Sequence, residues 1–212
     1  MVENPGLAVI AHAGARQTIV DFFPLWQGLG VPIYGFMPQG ESWPAECEPK
    51  AAFNYGKSAH KGPEAFERII HALTVMGLTE HDQIVLIEPD CVPLRNELPE
   101  LFPGAICGWP CNVVEGDWPR AFLPPWTMAR ETARLFVEKC SESAREHHPD
   151  CLDLTDRWID KAAAGSGIPT RLSRNVLGYS WHCPIKRVLE ALRPAWVHGW
   201  KSRAEMEAAW PI

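Results

Sequence analysis

The chain has 212 residues, 46% of them hydrophobic and 22% charged, with a formal net charge of -6 at pH 7. That length and balance suit one generous globular domain and exclude a disordered or fibrous chain. The acidic excess argues against a dedicated nucleic-acid binder, whose affinity comes from neutralising phosphates. No apolar run reaches the roughly 20 residues of a membrane span. The N-terminus MVENPGLAVIAHAG has no basic leader region and no cleavage site. The expectation is a cytoplasmic protein with no integral membrane segment. Seven cysteines without a C-x-x-C pair fit a reducing compartment, most of them as small buried fillers. Twenty prolines predict many stiff loops, and ten tryptophans serve either as core or as flat binding platforms.

Leu7 to His12 (LAVIAH) reads as a short buried strand. Thr18 to Gly28 reads as a helix with Ile19, Phe22, Phe23 and Trp26 on one apolar face, which places Pro24 near its first turn. Val31 to Met37 is a second strand. Residues 38–61 show no period and carry Gly40, Pro44, Pro49 and Gly56, so they read as an ordered loop or a pair of short turns. Pro63 opens the clearest helix, where Phe66, Ile69, Ile70, Leu73 and Met76 keep helical spacing up to Gly77. Gln83 to Glu88 (QIVLIE) is a central strand, and Ala105 to Trp109 is a further one. After a stretch rich in proline and tryptophan, Thr127 is expected to cap a helix running to Ser143. Asp153 to Ala164 is another helix, while 171–179 and 195–197 read as strands. The alternation predicts an α/β fold, a mostly parallel sheet flanked by helices, with its ligand site beyond the carboxyl ends of the strands.

The residues just beyond each strand are therefore the candidates for chemistry. His12 and Arg16 come after the first, Gln39 and Glu41 after the second, and Glu88-Pro89-Asp90 after the central one. Two carboxylates at i and i+2 on a strand that is ending can both reach a cation once the backbone turns. Hard oxygen donors favour Mg²⁺ or Mn²⁺, ions that also take up substrate phosphates. The same spacing also serves a plain strand-end acid pair, one member capping the next turn.

Residues 61–94, KGPEAFERIIHALTVMGLTEHDQIVLIEPDCVPL, resemble the central segment of family 2 glycosyltransferases of the GT-A fold. In that family a helix ending in glycine leads to a hydrophobic strand and an acidic D-x-D motif. Glu88-Pro89-Asp90 stands in its place, with Glu for the first Asp. The resemblance implies a Rossmann-like GT-A domain over 1–212, with a nucleotide-sugar-binding half (1–104) and an acceptor-binding half (105–212). It also implies a divalent ion, Mn²⁺ or Mg²⁺, on Asp90 and Glu88. Trp196-Val197-His198-Gly199-Trp200-Lys201 is similar to the H-G-x-K segments of GT-A enzymes, in which the His completes the metal shell and a Lys holds the diphosphate. His198 and Lys201 take those places here. A packed, hydrogen-bonded histidine remains the other reading of His198.

An inverting transferase needs a base for the acceptor hydroxyl. The nearest counterpart of the family's acid is Asp156, with Asp153 as helix cap and Asp160 as an alternative base; a helix dipole favours such acids whatever the function. Arg16, Lys61 and Arg68 are the basic residues expected to face the crevice beside His12, a solvated-surface role being the other reading of each, and Glu41 the acid expected near the ribose or base. Trp109, Trp118 and Trp126 are core or acceptor platforms. His147-His148 reads as a solvated helix end, and a nucleophilic role for Cys91 is disfavoured by the Asp90 charge beside it. The family's P-x-Y-N after the first strand is replaced by Ala11-His12-Ala13-Gly14. The expectation is therefore a transferase moving one sugar from a nucleotide-sugar donor to a saccharide or other hydroxyl acceptor. Two alternatives stay open: a sugar nucleotidyltransferase of related fold, and a catalytically inactive relative that binds a glycan or partner.

Overall fold

Leu7, Val9, Val85 and Ile87 point to one side of a sheet while Ala8, Ile10, Ile84 and Leu86 point to the other, and all eight are buried. Strand alternation thus feeds two separate cores, which is why these strands read as unbroken apolar runs rather than alternating ones. The computed structural model describes residues 4–56, 63–111, 121–143, 155–178, 189 and 192–209. Among them, seven strands form one sheet in the order β3-β2-β1-β4-β7-β6-β8. These are β1 (Pro5–Ile10), β2 (Ile33–Pro38), β3 (Ala51–Tyr55), β4 (Gln83–Ile87), β6 (Ile106–Cys111), β7 (Ala121–Ala129) and β8 (Thr170–Leu172). β1 to β4 run parallel, β7 runs against both β4 and β6, and β8 runs with β6. The expected α/β architecture with a largely parallel sheet is present.

One face carries α2 (Pro63–Gly77), α3 (Arg130–Ser143) and α4 (Thr155–Gly165), through buried residues such as Leu73, Phe136 and Ile159. The other carries α1 (Arg16–Gln27) and a small second sheet. In that sheet β10 (Trp196–His198) lies between β5 (Cys91–Pro93), to which it runs antiparallel, and β9 (Val176–Gly178), to which it runs parallel. A short C-terminal helix, α5 (Arg203–Ala209), closes the described chain through buried Met206. Each fully buried Leu, Ile or Phe in these two cores contributes about 1.5–3 kcal/mol. No helix among the described residues is long and apolar enough to cross a membrane.

Three sequence expectations are corrected, and one strand had no counterpart among them. Thr127 does not cap a helix; it lies inside β7, fully buried, and accepts a hydrogen bond from Gln83 Nε2 at 3.0 Å, while the helix begins at Arg130. Two prolines concealed this strand, and the β7/β6 register shifts between Cys107 and Trp109, close to where Pro124 and Pro125 sit. Such an irregularity admits residues that cannot donate to the ladder. Pro24 lies deep in α1 rather than in its first turn, because buried Ile19, Phe22, Phe23 and Trp26 hold the helix on both sides of it. Within 38–61, Ala51–Tyr55 forms an edge strand whose half-buried alternation gave no apolar run. Cys91–Pro93 is a strand of three residues, too short for periodicity to show.

Candidate functional site

The chain runs from β1 outward to β2 and β3 on one side, and β4 lies on the other, so strand order reverses between β1 and β4. In open α/β sheets a crevice opens at the carboxyl ends of the two strands flanking such a reversal. Here those ends carry Ala11-His12 and Glu88-Pro89-Asp90. The small sheet adds a third group: the β10/β5 register sets His198 opposite Cys91. Residues more than 100 positions apart in the chain are thereby brought together.

The backbone fixes this corner. The Cys91 N–H donates to Glu88 O at 3.0 Å, closing the turn that presents both acids, and the indole of Trp26 donates to Cys91 O at 2.9 Å. Gly199 has φ of +107°, a conformation that favours glycine, and the N–H groups of Gly199 and Trp200 both donate to Asp90 O, at 3.1 and 3.2 Å. This cradle holds the segment after His198 against the acid turn.

Glu88 Oε1 lies 2.5 Å from Arg68 Nη2, and Oε2 lies 3.7 Å from His198 Nε2. Burial pushes the Glu88 carboxyl up, but the Arg68 guanidinium, followed by His198 and the charge of His12, outweighs it and holds the group at about 2. Asp90 behaves in the opposite way. Burial raises its carboxyl, the charge of Glu88 adds to that, and His198, its own backbone N–H and His12 compensate only in part, leaving it above the usual carboxylate value. Asp90 Oδ1 is buried without a hydrogen bond among the described residues, 3.4 Å from His198 Nε2. Its side chain as a whole keeps 33% of its surface, so one oxygen is enclosed while the rest of the group meets solvent.

A buried carboxylate oxygen that lacks a donor is costly unless a bound water or a cation completes it. One oxygen donor from Asp90, one sulfur from Cys91 and one nitrogen from His198 lie within 4.8 Å of one another. The acidic and imidazole donors suit a divalent ion, so Asp90 and His198, with Glu88 beside them, can hold one.

The other residues singled out from the sequence are more scattered. His12 is half-buried, its Nδ1 is 3.0 Å from Ala13 O, and its charge reaches both acids. Arg16, at the start of α1, is exposed and paired with Glu46 at 3.0 Å. Arg68 faces the crevice from below: it is 3% exposed, and its guanidinium is engaged by Glu88. Glu41 lies in the turn after β2, tied through its backbone to Pro38 and to the side chain of Asn54. Lys201 is exposed beyond His198, its N–H donating to Glu205 at 3.0 Å as α5 begins. Asp156 lies in the first turn of α4, its side chain outside the described residues, as are Lys61, Trp118, His147, His148 and Asp153. Trp126 is buried, with its indole donating to Phe122 O, so it is core rather than platform. Trp109 is partly buried against the core beneath the small sheet.

Sequence reasoning passed over the Arg68–Glu88 pair and the place of Cys91. A signal existed for the first: Arg68 lies four residues before Ala72 on a helix stripe that is otherwise apolar and buried, so its charge had to find a partner. A separate cleft of about 540 Å³, lined in part by Phe102, Arg171, Leu172 and Arg174, lies toward the amino ends of β6 and β8 and contains none of the expected site residues. No protein-family model and no curated protein matches the chain.

Proposed function

We propose that this chain is a metal-dependent glycosyltransferase of the GT-A type, moving one sugar from a nucleotide diphosphate donor to a hydroxyl acceptor with inversion. The observation that carries the reading is Asp90 Oδ1, buried without a hydrogen bond among the described residues and 3.4 Å from His198 Nε2 at the point where strand order reverses. That is where a nucleotide would lie and where the D-x-D-like segment ends. Asp90 and His198, with Glu88, would hold the divalent ion, Mn²⁺ or Mg²⁺, which supplies charge neutralisation for the leaving diphosphate.

The protein's own groups do the rest. Glu88, pinned by Arg68, keeps a fixed negative charge beside His198 and orients the imidazole. Lys201, two residues beyond the glycine that cradles Asp90, would bring an ammonium to the diphosphate, and His12, with Arg16 at the start of α1, would meet the donor from the first strand's end. Asp156 takes the acceptor's hydroxyl proton as that oxygen attacks the anomeric carbon.

A thermal-shift panel of UDP, GDP, CDP and dTDP sugars, with and without Mn²⁺, tests this. A ligand that binds only the native state raises the melting temperature by mass action. One nucleotide sugar should stabilise the protein only when metal is present, and Asp90→Asn should abolish the shift. A folded sample that responds to none of the donors would sink the transferase reading.

A further inference from the structure

We propose that the cleft of about 540 Å³ toward the amino ends of β6 and β8 is a second ligand site, taking a small organic anion: an aromatic or alkyl body that ends in a carboxylate or phosphate. The site is independent of the reading given above for the Asp90 corner. β7 runs against both β4 and β6, and β8 runs with β6. These amino ends therefore lie at the opposite end of the sheet from the crevice beyond β4.

Three observations converge. The first is charge. Arg171 and Arg174 both line the cleft, and no carboxylate among the described residues pairs with either guanidinium. Glu100 lies beside Arg174, but its Oε2 accepts the Arg174 backbone N–H at 3.0 Å. In a chain of net charge -6, two cations kept on one cleft select an anion. The planar guanidinium fork matches the paired oxygens of a carboxylate or phosphate.

The second is apolar surface. Five large apolar side chains are exposed among the described residues, and two of them, Phe102 and Leu172, stand on this cleft. Pro103 and Pro169 extend the lining. Apolar walls beside a few fixed charges are the makeup of a small-molecule site, and the volume falls within the roughly 300–1,000 Å³ that such sites span.

The third is order. The Ala105 N–H donates to Phe102 O at 3.1 Å and Gly104 has φ of +71°, so 102–105 is a tight turn with proline and glycine in the places that favour them. The Ile106 N–H donates to Pro169 O at 3.0 Å and joins this turn to the start of β8. Beside Arg174, the Asn175 amide donates to Leu98 O at 2.8 Å and to Glu97 Oε1 at 3.0 Å, and accepts from Ser173 Oγ and Glu100 N. The lining is thus fixed by the chain's own hydrogen bonds, which lowers the ordering cost of binding. β8 has three residues and follows a proline, so its edge offers little ladder to a peptide strand and the cleft suits a small molecule instead.

The test follows amide shifts of the full chain in chelator during titration with phenyl phosphate and, separately, with phenylacetate. At least one should bind saturably at one equivalent and shift the amides of Ala105 and Leu172; which of the two binds names the anion. Inorganic phosphate and benzyl alcohol, each with half of the contacts, should bind at least about tenfold more weakly. Joint Arg171→Gln and Arg174→Gln substitution should weaken binding at least about tenfold through lost charge-assisted hydrogen bonds, and Leu172→Ser about threefold. These side chains are exposed, so the variants keep the fold, and their amide spectra show it. Asp90→Asn should leave binding unchanged. The proposal is overturned if neither acid binds saturably, if binding survives the double arginine change or is lost in Asp90→Asn, or if inorganic phosphate binds as tightly as phenyl phosphate. The donor panel above depends on metal and this titration excludes it, so failure here leaves the transferase reading standing.

Discussion

His81 and His198 stand beyond opposite ends of β4, each among polar groups, and their surroundings differ in one respect. At the amino end, His81 Nδ1 donates to Asn4 Oδ1 at 3.0 Å and Nε2 accepts from the Tyr34 hydroxyl at 2.8 Å. Asn4 in turn donates to Glu80 O. Both ring nitrogens are used, and they fix a neutral tautomer. At the carboxyl end, His198 faces two carboxylates, and Asp90 Oδ1 is left buried with no hydrogen bond among the described residues. A satisfied buried network specifies a fold; an incomplete one, kept in a crevice, is a place where a ligand supplies the missing partner. The comparison separates a histidine whose partners tie strands together from one set beside an enclosed carboxylate oxygen.

The comparison can be strained from either side. The largest effect is expected from Arg68→Met, which leaves Glu88 buried without its guanidinium. Loss of about 3–5 kcal/mol in urea unfolding is predicted. Restoration of much of that loss by adding Glu88→Gln would show that the stranded charge, not lost packing, is responsible. At the amino end, Tyr34→Phe removes one hydroxyl and strands His81 Nε2, so a loss of about 1–3 kcal/mol should appear in the same assay.

A smaller effect concerns pH. Burial, then the charge of Lys50, hold His81 below its usual 6.5 against the opposing pull of Asn4, Asp82 and Glu80. With the folded value depressed, the unfolded chain binds the proton more readily. The stability linked to His81 is therefore fully present above 6.5 and is lost as pH falls from there through the folded value. Unfolding free energies between roughly pH 7.5 and 5.5 should fall more steeply for the wild type than for His81→Gln. The smallest effect is expected from Asp90→Asn in chelator. Replacing a carboxylate whose one enclosed oxygen, Oδ1, has no hydrogen bond among the described residues should change stability by no more than about 1 kcal/mol, and toward greater stability. A large loss instead would mean that Asp90 holds the fold, as His81 does.

Much of the fold was legible because its signals are local. The run QIVLIE at 83–88 could only be a strand buried on both faces, and Phe66, Ile69, Leu73 and Met76 could only be a helix stripe. The segments that escaped are those whose order comes from neighbours. β7 carries two prolines, β3 is a half-exposed edge, and β5 has three residues whose strand character exists only through β10. The site divided in the same way. Glu88, Asp90 and His198 could be singled out from their positions after strands and from a family resemblance. The Arg68–Glu88 pairing, 20 positions apart, and the register that sets Cys91 opposite His198 are tertiary facts that no spacing encodes.

The most direct test of the central claim is divalent-cation binding by calorimetry to chelator-treated protein, comparing the wild type with Asp90→Asn and His81→Gln. The account predicts one equivalent bound by the wild type, none by Asp90→Asn, and undiminished binding by a folded His81→Gln. Absence of binding to the wild type, or equal binding by Asp90→Asn, would contradict it.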